Sequence, residues 1–63
     1  MYEHKVIDVR ATGVMPDSVA STIAEHLDAS SRDGWELFHI QPVIYNSSTT
    51  GYFLLILRRP SPG

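Results

Sequence analysis

The chain has no cysteine, which excludes disulfides, iron–sulfur clusters and thiolate zinc sites and fits a reducing cytoplasm. Positive charge is also sparse: Lys5, Arg10, Arg32, Arg58 and Arg59 are scattered through the sequence, and the formal charge is −2. Neutralising a phosphate backbone takes a clustered basic footprint, so no nucleic-acid partner is expected. Long apolar runs are missing too. The longest, over residues 52–57, has six members, far below the ~20 of a membrane span. The start, Met1-Tyr2-Glu3-His4-Lys5-Val6, has no basic region leading into an apolar one, so the expectation is a mature, cytoplasmic protein without a membrane partner. Asn46-Ser47-Ser48 matches a glycosylation acceptor, which without a secretion signal reads as a polar loop.

With 63 residues the chain is expected to form a single domain over 1–63, with a flexible tail at 60–63. A domain this small buries only about 60% of the surface its unfolded chain exposes. Disulfides, metals or oligomerisation usually supplement so small a core. Without cysteine, association is the expected aid.

The remaining sequence is organised around residues 51–60, Gly-Tyr-Phe-Leu-Leu-Ile-Leu-Arg-Arg-Pro. An unbroken apolar run opened by glycine and closed by Arg58, Arg59 and Pro60 is the pattern of a strand buried on both faces. Residues 2–10 read as a strand with Tyr2, His4, Val6, Asp8 and Arg10 on one face and Glu3, Lys5, Ile7 and Val9 on the other. Its charged ends suit a sheet edge. Residues 11–16 form a connection, and Asp17 is placed to cap a helix over 18–33. Steps of 100° gather Val19, Ala20, Ile23, Ala24, Leu27, Ser30 and Ser31 on one side of that helix, and Asp28 with Arg32 is spaced as an i,i+4 ion pair. Gly34 can take the left-handed conformation that ends a helix.

Residues 35–45 then read as a second strand, with Trp35, Leu37, His39, Gln41 and Val43 on one face and Glu36, Phe38, Ile40, Pro42 and Ile44 on the other. Pro42 lacks a donor, which points to an edge, an end or a bulge. A polar hairpin loop is expected over 46–50. The resulting fold class is α+β, a β-α-β-β chain with a three-stranded antiparallel sheet in order 1-3-2 and one helix packed on one face. One helix covers one face only. Either Phe53, Leu55 and Leu57 or Tyr52, Leu54 and Ile56 are left uncovered, so Tyr52, Phe53, Leu54, Leu55, Ile56 and Leu57 are the candidate interface residues.

Three blocks, Met1-Tyr2-Glu3-His4-Lys5-Val6, Asp33-Gly34-Trp35-Glu36-Leu37 and Gly51 through Pro60, resemble the short bacterial and phage proteins grouped as domain of unknown function 4177. Their order and spacing match that family, with His4 where an aromatic is usual and Asp33 where a glutamate is usual. The resemblance implies a compact β-α-β-β fold and no activity. It transfers no catalytic or binding residue.

Candidate chemistry is weak throughout. His4, His26 and His39 fall on three different elements without ligand spacing, so surface histidines are expected and no metal or other cofactor. Hydroxyls are plentiful, Ser47 to Thr50 among them, but no Gly-x-Ser-x-Gly elbow is present. Glu3 with Asp8, and Glu25 with Asp28, lie where solvation is expected. The expectation is therefore a non-catalytic association module, a homo-oligomer or a small accessory subunit of a larger protein. The alternative is a small-molecule pocket at a subunit or helix–sheet boundary, walled by aromatics such as Tyr2, Trp35, Tyr45 and Tyr52 with His4 or His39 as polar contacts.

Overall fold

A computed structural model of the chain describes residues 1–46 and 49–62, without the side chains of 45, 46 and 49. The order is β1 (Tyr2–Arg10), α1 (Pro16–Arg32), β2 (Glu36–Asn46) and β3 (Thr49–Pro60). The sheet order is β1-β3-β2, and β3 pairs antiparallel with both neighbours. The α+β class, the β-α-β-β order and the 1-3-2 sheet are those expected from the sequence. The most apolar strand is central because only that position shields both of its edges from water. The hairpin strands reach further than expected, Asn46 lying opposite Thr49. The expected loop tip and the Asn46-Ser47-Ser48 acceptor lie outside the fully described residues, as does the Tyr45 side chain.

Helix α1 begins two residues earlier than the capping argument suggests. Met15 is the N-cap residue, its side chain makes no cap bond, and Pro16 occupies the first helical turn. Proline suits that position because its missing N–H would have no intrahelical partner. Asp17 is thus inside the first turn, where it favours the helix dipole without capping. The C-terminus closes as expected. Gly34, at φ +84°, donates its amide to the Ser31 carbonyl, and Trp35 donates to that of Ser30, the paired bonds of a Schellman motif.

The helix presents Val19, Ile23, Leu27 and the buried Ser30 to the sheet. Ala20, Ala24 and Ser31, expected on that side, are exposed: the buried stripe is narrower than the apolar arc. The core joins Val9, Val19, Leu55 and Leu57, with Ile7, Ile40, Phe53 and Trp35 packed around it. Leu55 and Leu57 are 0% and 1% exposed. Trp35 is partly buried, but Leu37, placed on the same face from the sequence, is 42% exposed. At the other end of the sheet the Gly51 carbonyl accepts the amides of Ala11 and Thr12 and the Thr12 hydroxyl at 3.0 Å, which ties the β1–α1 connection to the start of β3.

The molecule is flat, 42 × 21 × 11 Å across its Cα atoms. The long axis is that of β3, whose 12 residues span ~40 Å at ~3.3 Å each. Helix α1, with 17 residues, spans only ~25 Å. One sheet face is therefore covered over part of its length, and the other faces outward.

Candidate functional site

Cross-strand partners share a face, so the register of β3 decides which residues point away from the helix. Gly51, Phe53, Leu55, Leu57 and Arg59 belong to the helix side, and Tyr52, Leu54, Ile56 and Arg58 to the open side. The unbroken apolar run did not distinguish the two sets. The structure thus gives Phe53, Leu55 and Leu57 to the core and leaves Tyr52, Leu54 and Ile56 on the outward face. β1 adds Tyr2, His4, Val6, Asp8 and Arg10 there, opposite Pro60, Arg58, Ile56, Leu54 and Tyr52 respectively.

β2 contributes in a way that strict alternation misses. A register shift lies between Leu37 and His39, so Glu36, His39, Gln41 and Val43 pair with open-side residues of β3, while Leu37, Ile40 and Pro42 pair with Leu57, Leu55 and Phe53. Phe38 sits in the bulge, and its ring lies against Arg58 and His4 on the open side. A bulge inserts one residue and resets the period-two pattern beyond it. It explains why His39 and Phe38, assigned to opposite faces from the sequence, end up on the same one.

The open face is thereby an apolar band of Val6, Ile56, Leu54, Tyr52 and Val43 bordered by polar corners. Val6 is 59% exposed, Phe38 56% and Tyr52 42%. At one corner the Arg58 guanidinium lies 4.5 Å from the Tyr2 ring centre and 4.8 Å from that of Phe38, and its Nε donates to Glu36 at 2.8 Å. Each such cation–ring contact contributes about 0.5–1 kcal/mol at an exposed site. Along β2, His39 Nε2 and Gln41 Oε1 are 3.1 Å apart. A shallow hollow of about 390 Å³ lies at the far end against Asp8, Arg10, Thr12 and Tyr52.

The opposite end of the sheet, where Arg58 lies, is locked on its helix side. Arg59 and Lys5 approach the Trp35 ring at 4.4 and 5.0 Å, Arg59 donates to the Asp33 carbonyl at 2.8 Å, and Arg59 pairs with Glu3. The blocks around residues 1–6, 33–37 and 58–60 thus meet at one place, joining the C-terminus of α1 to β1 and β3. Arg58 and Arg59, read from the sequence as strand-ending charges, are both stacked on rings. Among the described residues two ion pairs form, Arg58 with Glu36 and Arg59 with Glu3, and Asp28 with Arg32 is not one of them.

On the helix side, where β3 outruns α1, an apolar groove of about 410 Å³ opens between Ala11, Val14, Val19, Ala20, Ile23 and Phe53. His4 and His39 are exposed on the open face and His26 is half-buried on α1. Among the described residues no three histidine, aspartate or glutamate side chains come together as metal ligands. No helix among them is long and apolar enough to cross a membrane. Pro60 is still part of β3, and the Ser61 amide donates to the Met1 carbonyl at 2.9 Å, so the expected 60–63 tail is anchored over its first two residues.

Sequence reasoning missed Val6, Phe38 and Val43 as members of the outward face. Val6 carried a signal, an apolar residue at an even position of β1; Phe38 and Val43 carried none, because the bulge precedes them. No protein-family model matches the chain, and no curated protein and no solved structure matches it either.

Proposed function

We propose that the chain is a non-catalytic association module whose open sheet face is its interface, most simply with further copies of itself, otherwise as a small accessory subunit on a larger protein. One observation carries the reading: a three-stranded sheet with a single helix leaves Val6, Tyr52, Leu54 and Ile56 in a continuous apolar band that nothing among the described residues covers. Bands of this kind rimmed by polar groups are characteristic of protein interfaces. Membership of domain of unknown function 4177 is proposed with it, supported by the three sequence blocks, and adds no activity.

The test is the solution mass of wild type and Leu54→Lys by light scattering across concentration. Leu54 lies in mid-band, so a lysine there buries an uncompensated charge in any face-to-face contact and lowers the mass. An unchanged mass at every concentration overturns the face as a self-association surface. A second reading rests on the groove of about 410 Å³ beside Val19 and Phe53, which has the size and lining of a small apolar ligand site. It requires a rise in melting temperature with ligand concentration; a panel of apolar metabolites that produces none overturns it.

A further inference from the structure

The two edges of the sheet differ. β2 carries Pro42, which has no N–H, and its ladder to β3 shifts register between Leu37 and His39, between Val43 and Ile44, and between Ile44 and Asn46. Such breaks are how sheets block edge pairing. β1 has none of them. Its nine residues contain no proline and keep one uninterrupted register against β3, so its outer edge is a straight row of backbone groups that nothing among the described residues pairs with.

The direction of those groups follows from the ladder. Ser61 donates to the Met1 carbonyl and Ala11 to that of Gly51, so the hydrogen-bonded pairs with β3 are at odd positions of β1. In an antiparallel ladder the intervening residues direct N–H and C=O the other way. Tyr2, His4, Val6, Asp8 and Arg10 therefore present both groups outward. Their side chains all stand on the open face.

We propose that β1 pairs antiparallel with β1 of a second copy across a two-fold axis at Val6, making a continuous six-stranded sheet. The occupant is argued from the complementarity of the facing groups, a carboxylate opposite an imidazole N–H donor and a guanidinium opposite a ring. With Val6 opposite Val6 of the second copy, His4 faces Asp8, Asp8 faces His4, and Tyr2 and Arg10 face each other, the last pair repeating the ring–guanidinium contact that Tyr2 already makes with Arg58. On the helix side Glu3 faces Val9 and Lys5 faces Ile7, so no like charges are opposed. Sliding by one pair in one direction sets Lys5 against Lys5; sliding the other way sets His4 against Arg10. Shifts by a single residue oppose the two faces and misalign the free backbone groups. Centred on Val6, the strand thus pairs over its whole length with complementary groups opposed, as an isologous interface requires. This surface is the edge of the sheet, distinct from the open face, and the dimer stands or falls independently of that face.

The experiment uses two full-length variants at exposed positions, His4→Glu and Asp8→Lys, with circular dichroism to verify folding and sedimentation to give mass. Wild type is expected to dimerise. His4→Glu opposes Glu to Asp8, and Asp8→Lys opposes Lys to His4, twice per dimer in each case, so either variant alone weakens the dimer by about tenfold or more. An equimolar mixture restores it, because each Glu then meets a Lys and each remaining His4 an Asp8. Amide exchange at Val6 and Asp8 slows in wild type relative to His4→Glu. A monomeric wild type, variants that associate like wild type, a mixture that stays dissociated, or a dimer with unprotected Val6 and Asp8 amides each overturn the edge pairing.

Discussion

Leu54 and Leu55 are chain neighbours of identical composition on opposite faces of β3, and truncating each to alanine separates core from open face. Leu55 is 0% exposed among Val9, Val19 and Leu57. Removing three carbons from such a site costs about 2.4 kcal/mol in transfer alone at ~0.8 kcal/mol per carbon. The remaining cavity cannot close between a helix and a sheet that both stay in place, which brings Leu55→Ala to about 3–4 kcal/mol. A chain of this length holds only about 3–9 kcal/mol in total. The melting temperature therefore falls by roughly 12–32 °C, at ~4–8 °C per kcal/mol for a small domain. Leu54 is half-exposed on the open face, so Leu54→Ala costs less than about 1 kcal/mol when association is diluted away. Thermal and urea unfolding followed by circular dichroism at low micromolar concentration reads both. Equal losses, or the larger loss at Leu54, would refute the assignment of faces.

Arg59→Lys keeps the charge beside Glu3 but loses the flat stack on Trp35 and the bond to the Asp33 carbonyl; a loss of about 1 kcal/mol in urea unfolding is expected, persisting at high salt because stacking is poorly screened. Gly34→Ala meets no atom within 4 Å of the added carbon, so its expected cost, about 1–2 kcal/mol, is backbone strain at positive φ alone; replacing Gly34 by Asn, which tolerates that conformation better, should recover part of it. Met15→Asp supplies the missing cap acceptor at an extended N-cap residue and is expected to raise stability by about 1 kcal/mol, read as a higher melting temperature.

The topology was legible because one strand carries an unbroken apolar run over residues 52–57, and only a central strand between two charged-ended neighbours accommodates that. Gly34 was legible for a similar reason: few residues besides glycine end a helix at positive φ. The faces of β3 were not, since Phe53, Leu54, Leu55 and Ile56 are nearly equivalent as hydrophobes and the helix that chooses between them is set by packing. β2 was misassigned beyond Leu37 because a bulge leaves no composition signal. The helix start was shifted because Asp17 is a good cap in isolation, while Pro16 at the first helical position is better still and moves the boundary to Met15. Arg58 and Arg59 looked like simple terminators of the strand. Their stacking on Tyr2, Phe38 and Trp35 depends on contacts between residues twenty or more positions apart, which local pattern does not encode. The same limit applies to the candidate site: its centre at Tyr52, Leu54 and Ile56 was within the expected set, Val6 was signalled by alternation along β1, and the flanks at Phe38 and Val43 emerged only from the register.

The central claim is that the uncovered face of the sheet is an interface. It is tested most directly by multi-angle light scattering of wild type and Leu54→Lys over a wide concentration range, with matched circular dichroism spectra. The account predicts a wild-type mass that rises with concentration above that of Leu54→Lys, which stays at the species held without the face. Identical masses for the two proteins at all concentrations would contradict it.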